Sequence, residues 1–185
     1  MKKWSTWLLS AAILAALAAP LIAQESGGMP PEAIKAMTPG EHHKHLEMLA
    51  GEYTMLGKAW MAPGEEPSEF TGTRTAEMIL GGRYLRETVD SEFMGWPYEG
   101  FGLFAYDNTA ERYIYTWVDN MATTVTTAYG NCSADGTWTL EGEHIDPMTG
   151  KMSPYTNIVR KTDTGFVFEW HENGSKKMEI TYTSK

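Results

Sequence analysis

Four charged side chains fall where alternation along short extended segments points them at an apolar interior. Over 68–79, Glu69, Thr71, Thr73, Thr75 and Glu77 form an outer face. Successive side chains of a strand point to opposite sides, so Phe70, Gly72, Arg74, Ala76 and Met78 turn inward. Over 83–93, Arg83 and Glu87 share a side with Leu85 and Val89, and over 98–106 Glu99 lies in line with Phe101 and Leu103. A buried, unpaired charge is costly, so these groups must pair with each other, meet water or meet a ligand. A guanidinium grips a carboxylate in a two-pronged fork, so Arg74 or Arg83 could fix the anionic head of a small molecule. The other possibility is an internal Arg–Glu pair that tunes closure of the sheet and binds nothing. The same alternation turns Trp117, His144, Trp170 and Tyr182 inward, and together with the four charged groups they form the candidate ligand-binding set.

Other chemistries find less support in the residues. Of His42, His43 and His45 only the first and last share a helix face, so no pair at i and i+4 is available to a metal. His144 and His171 could carry a haem, yet the last strand, Met178-Glu179-Ile180-Thr181-Tyr182, supplies no histidine. Met148 and Met152 flank a turn without the dense Met-x-Met clustering that Cu(I) favours. There is no Gly-x-Ser-x-Gly, no His-Glu-x-x-His and no phosphate loop. An acid–base pair of Asp119 and His144 would require the two to approach within about 3 Å. No catalytic residue, metal or cofactor is therefore expected.

The elements that must position these groups are strands. Ten segments, near 52–61, 68–79, 83–93, 98–106, 111–118, 122–131, 137–144, 151–160, 165–172 and 176–183, are separated by turn chemistry such as Pro63-Gly64, Gly81-Gly82, Trp96-Pro97, Asp135-Gly136 and Asn173-Gly174. Connections this short leave no room for crossover helices, so the fold expected is all-β, an antiparallel up-and-down barrel of about ten strands. Before it, Thr38-Pro39-Gly40-Glu41 reads as a capping box opening a helix that runs to about Ala50 and plugs one barrel end. Residues 24–37 read as a flexible tether with at most one helical turn.

His43-Lys44-His45-Leu46 leading to Leu49-Ala50-Gly51-Glu52-Tyr53, then Leu80-Gly81-Gly82-Arg83-Tyr84-Leu85, Gly100-Phe101-Gly102, Tyr106-Asp107-Asn108, and Trp117 with Asp119 resemble the bacterial domain of unknown function 1579. The likeness spans nearly the whole of the chain that follows residue 23. That family is similar to lipocalin-like, or calycin, barrels, in which a helix precedes a Gly-x-Trp; here the corresponding residues are Gly51-Glu52-Tyr53. The resemblance implies a fold and brings no established activity.

Lys2 and Lys3, an apolar run from Leu8 to Ala19, Pro20 and a cleavage site after Ala23 make residues 1–23 a secretory signal peptide, too short in its apolar part to remain as a membrane span. The expected location is periplasmic or secreted, with no stable membrane insertion after cleavage. The full chain has a net charge of -9, and cleavage removes two lysines and no acid, leaving -11, which disfavours nucleic acid as a partner. One cysteine, Cys132, allows no internal disulfide. Residues 38–185 are thus expected to form one barrel that holds a small apolar or amphipathic molecule, with an anionic end as one form of it. The competing expectations are a barrel filled by its own side chains that serves as an interaction module, and a haem-binding, metal-binding or enzymatic barrel.

Overall fold

The computed structural model of the chain describes residues 28–62 and 64–185. The expected signal peptide, and residues 24–27 of the expected tether, lie outside the described residues. Two short helices, α1 (Pro31–Met37) and α2 (Glu41–Glu47), lead into ten strands: β1 (Gly51–Ala59), β2 (Ser68–Ile79), β3 (Tyr84–Phe93), β4 (Trp96–Asp107), β5 (Arg112–Asp119), β6 (Thr126–Cys132), β7 (Thr137–Ile145), β8 (Met152–Lys161), β9 (Gly165–Glu172) and β10 (Ser175–Ser184). Each strand runs antiparallel to its sequence neighbours. β1 also pairs with β10, from Tyr53 opposite Ser184 to Ala59 opposite Met178. The result is the expected up-and-down barrel, closed so that none of the described strands has a free edge.

Local chemistry accounts for the departures from the expected boundaries. The β3–β4 hairpin turns at Met94-Gly95, not at Trp96-Pro97: both turn residues have positive φ, as a two-residue hairpin with the right-handed sheet twist requires. Residues 122–125 do not join β6, which starts at Thr126. Asp119 Oδ1 accepts the Met121 N–H at 2.9 Å, while Asn120 bonds the Glu99 N–H at 3.1 Å and the Pro97 carbonyl at 3.0 Å. These bonds hold the 120–125 loop along β4, away from pairing with β5. The tether contains a seven-residue helix, longer than the single turn expected. Thr38 closes that helix, donating from Oγ1 to the Ile34 carbonyl at 2.6 Å, so α2 begins at Glu41 behind Gly40. His43, rather than Glu41, reaches back, its Nδ1 accepting the Gly40 N–H at 3.0 Å.

α2 closes one end of the barrel. Its Leu46, 0% exposed, and the following Leu49 join Leu85, Tyr113 and Trp138 in one buried cluster. The histidines serve this seat. The His42 ring stacks on Tyr106 at 4.0 Å, and the Nδ1 atoms of His42 and His45 each lie 3.2 Å from the Tyr113 hydroxyl. Among the described residues no group of three His, Cys, Asp or Glu is placed to hold a metal ion. Cys132 is half-buried, and burial, then Asp135, raises its thiol pKa, which keeps it protonated and weakly nucleophilic.

His43 gives the plug a pH dependence. Burial first, then the charges of His42 and Arg83, depress its pKa below the ordinary histidine value. The unfolded chain therefore binds a proton there at a higher pH than the folded chain, and stability falls as pH drops from about 6.5 through the lower folded value. His43→Asn, whose side-chain oxygen can still accept the Gly40 N–H, should flatten the loss of melting temperature between about pH 6.5 and 5. An unchanged slope in that variant would remove His43 from the account.

Candidate ligand cavity

Between the plug and the opposite, open end the barrel encloses a cavity of about 890 Å³. That lies within the roughly 300–1,000 Å³ of small-molecule sites. Its walls come from alternate residues of successive strands, among them Phe104, Leu140, Val159, Phe166, Phe168 and Ile180. Three inward glycines keep it wide. Gly57 faces Phe70 across the β1–β2 ladder, Gly102 faces Trp117 across β4–β5, and Gly142 faces Tyr155 across β7–β8. In each pair a Cβ on the glycine would run into the opposing ring. The aromatics therefore lie flat against the wall, their faces covering backbone that would otherwise be bare.

The floor is polar and internally satisfied. Arg74 pairs with Glu87 through Nε and donates from Nη1 to the Leu49 carbonyl at 2.8 Å. Its guanidinium lies 4.8 Å from the Phe166 ring centroid and 5.3 and 5.6 Å from those of Tyr53 and Tyr182, so three π faces share the cation. Tyr115 donates its hydroxyl to Glu87 Oε1 at 2.6 Å. Burial opposes the charge on Arg74, but the Glu87 carboxylate outweighs it and holds the guanidinium pKa above its ordinary value. Burial, reinforced by Glu87, drives the Tyr115 and Tyr182 phenols well above the usual tyrosine range, so both are neutral.

At the mouth, Trp117 Nε1–H lies 3.0 Å from both Tyr98 Oη and Asp119 Oδ2, and Tyr98 donates to the same carboxylate at 3.3 Å. His144 Nε2 meets Glu172 Oε1 at 2.8 Å, and Ser153 Oγ donates to that oxygen at 2.9 Å. Residues 120–124 of the loop after β5 lean over the opening and line it. Around it stands a collar of exposed apolar side chains: Met94, Trp96 at 68%, Met121, Val125, Ile145 and Met148 at 90%.

Six residues of the expected set, Arg74, Glu87, Trp117, His144, Trp170 and Tyr182, line this cavity together. Arg83 and Glu99 do not. Arg83 sits in the β2–β3 turn at the plugged end, where it donates to the carbonyls of Met37 at 2.7 Å and Leu80 at 3.0 Å. Leu80, Gly81 and Gly82 all have positive φ, which carries residue 83 out of the alternation of β3. Glu99 is exposed on the outer face, because the inward residues of β4 are Tyr98, Gly100, Gly102 and Phe104. Phe101 and Leu103 drew the assignment outward-in, whereas the two small residues face the lumen and make room for Trp117. His144 and Asp119 engage different partners, Glu172 and the Tyr98–Trp117 pair, and form no acid–base pair with each other. His171 bonds Glu169 at 2.8 Å, with Arg160 and Lys176 also on that carboxylate. Sequence reasoning misses Asn157, buried among the lining residues of β8; the alternation Ser153, Tyr155, Asn157, Val159 is the signal that places it there.

A family described as "Protein of unknown function (DUF1579)" matches the chain over residues 38–183, from the residue that closes α1 almost to the end of β10. No curated protein matches it.

Proposed function

The chain belongs to the DUF1579 family of proteins of unknown function, and from that premise, which brings no activity, we propose that it is an exported barrel that holds one small apolar or amphipathic molecule. The observation that carries this reading is the cavity of about 890 Å³, apolar along its walls and open at one end. A barrel filled by its own aromatics would have no such space; here the rings of Phe70, Trp117 and Tyr155 are laid against glycines instead of crossing the lumen. The apolar collar supports the same reading, since a ligand entering past Trp96, Met121 and Ile145 loses water gradually and meets no charge on those side chains. Export rests on residues 1–23, and among the described residues no helix is long and apolar enough to cross a membrane.

Uptake of the neutral fluorophore N-phenyl-1-naphthylamine by the chain beginning near Gln24 tests the proposal. Saturable binding of one probe per barrel is expected, with a blue-shifted emission. Ile180→Trp, which adds an indole at a lining position, should lower the affinity at least about tenfold while the protein stays folded. Native mass spectrometry of protein from its own host's periplasm then reads the carried mass and the cleavage position together. A bare mass with no probe uptake would favour the interaction module.

A further inference from the structure

We infer that the cavity selects a ligand with a neutral hydrogen-bonding head, a hydroxyl, carbonyl or carboxamide, and holds that head on Asn157. The inference rests on the cavity being a binding site, as proposed above. Asn157 is 5% exposed and lines the cavity, between Leu140 of β7 and Trp170 of β9 in the strand register. A carboxamide offers two N–H donors and a carbonyl acceptor. Among the described residues the Asn157 side chain makes no hydrogen bond to the protein, although the neighbouring charged groups of the lining, Arg74, Glu87, Asp119 and His144, are all engaged. The Tyr182 hydroxyl, equally buried and also lining the cavity, has no such bond either, and burial keeps it a neutral donor. These two groups present donors and an acceptor without charge.

The charges on the lining argue against a carboxylate head. The guanidinium of Arg74 already serves Glu87, the Leu49 carbonyl and three aromatic faces. Glu87 and Asp119 are two lining carboxylates against that single guanidinium, and the lining imidazole, His144, is already engaged by Glu172. A third carboxylate would enter a low-dielectric space with no free cation to meet, whereas a hydroxyl or amide completes the unpaired Asn157. The head is thus recognised by a carboxamide, as in sites that discriminate by hydrogen bonding rather than by charge.

A matched series separates the possibilities: 1-decanol, decanamide and decanoate, each displacing N-phenyl-1-naphthylamine at pH 8, from the wild type and from Asn157→Leu. The expected result is that the alcohol and the amide bind at least about tenfold more tightly than decanoate to the wild type. Asn157→Leu should erase that difference, read as the ratio of neutral-head to decanoate affinity within each protein, so that any change in its affinity for the fluorophore cancels. Asn157→Ala serves if the leucine variant does not fold. Decanoate binding as tightly as the neutral pair, or a variant that keeps the full neutral-head preference, overturns the assignment of Asn157 while leaving the binding cavity standing. Failure of the wild type to take up the fluorophore overturns the cavity reading itself, and this inference with it.

Discussion

Arg74→Leu is expected to cost about 3–5 kcal/mol of unfolding free energy, because it leaves a buried carboxylate without its cation. The Arg74 side chain is 2% exposed and Glu87 is nearly as buried. With the guanidinium gone, Glu87 keeps, among the described residues, only the Tyr115 hydroxyl as a partner. The Leu49 carbonyl, which ties the plug to the floor, loses its donor as well. Glu87→Leu should cost a comparable amount for the converse reason, a cation stranded beneath three rings. The double variant Arg74→Leu/Glu87→Leu should recover most of the loss, since replacing a buried ion pair by apolar groups of similar volume is often close to neutral. Urea denaturation of the four proteins reads the cycle directly. If Arg74→Leu alone cost under about 1 kcal/mol, the pair would behave as a hydrated surface contact and the floor described here would be wrong.

Leu46→Ala should come next, at about 2–5 kcal/mol, the range for emptying a fully enclosed leucine site. Leu46 is the inmost side chain of α2, a helix of only seven residues that has little stability of its own and relies on what it buries. Its loss is therefore expected to loosen the plug before the barrel. Amide exchange should rise over α2 well ahead of β3 and β4 on which it rests. Leu46→Met, which keeps the volume, should cost less than about 1.5 kcal/mol. Equal costs for alanine and methionine would mean that the helix is not seated as described.

Much of the barrel was legible because its information is local. Alternation over eight to twelve residues and a turn residue at each boundary set ten strands, and the closure of β1 on β10 follows from their number and order. The inward assignment of Arg74, Glu87, Trp117, His144, Trp170 and Tyr182 came from the same alternation. It failed where the backbone breaks phase or where the pattern of size contradicts the pattern of hydrophobicity. Three successive left-handed residues rotate Arg83 out of its strand, and nothing in the side chains themselves announces that. In β4 the apolar Phe101 and Leu103 face outward so that Gly100 and Gly102 can admit an indole from the next strand, a choice set across the ladder and invisible within one segment. Asn157 escaped notice for a different reason: a lone asparagine in a strand looks ordinary until the neighbours that fail to bond it are known.

The pairing of β1 with β10 also dictates an order of events in time. Tyr53 meets Ser184, and Lys185 donates its N–H to the Glu52 carbonyl at 3.0 Å, so the ring cannot shut until β10 and the residue after it are free to arrive. Non-local contacts of this span make folding slow, in the millisecond-to-second range typical of β topologies. At roughly 5–20 residues per second, synthesis delivers most of the sheet long before its closing partner exists. If the chain crosses a membrane as a thread, as the proposed export requires, that delay works in its favour: the seam between β1 and β10 stays open on the near side until β10 has been made.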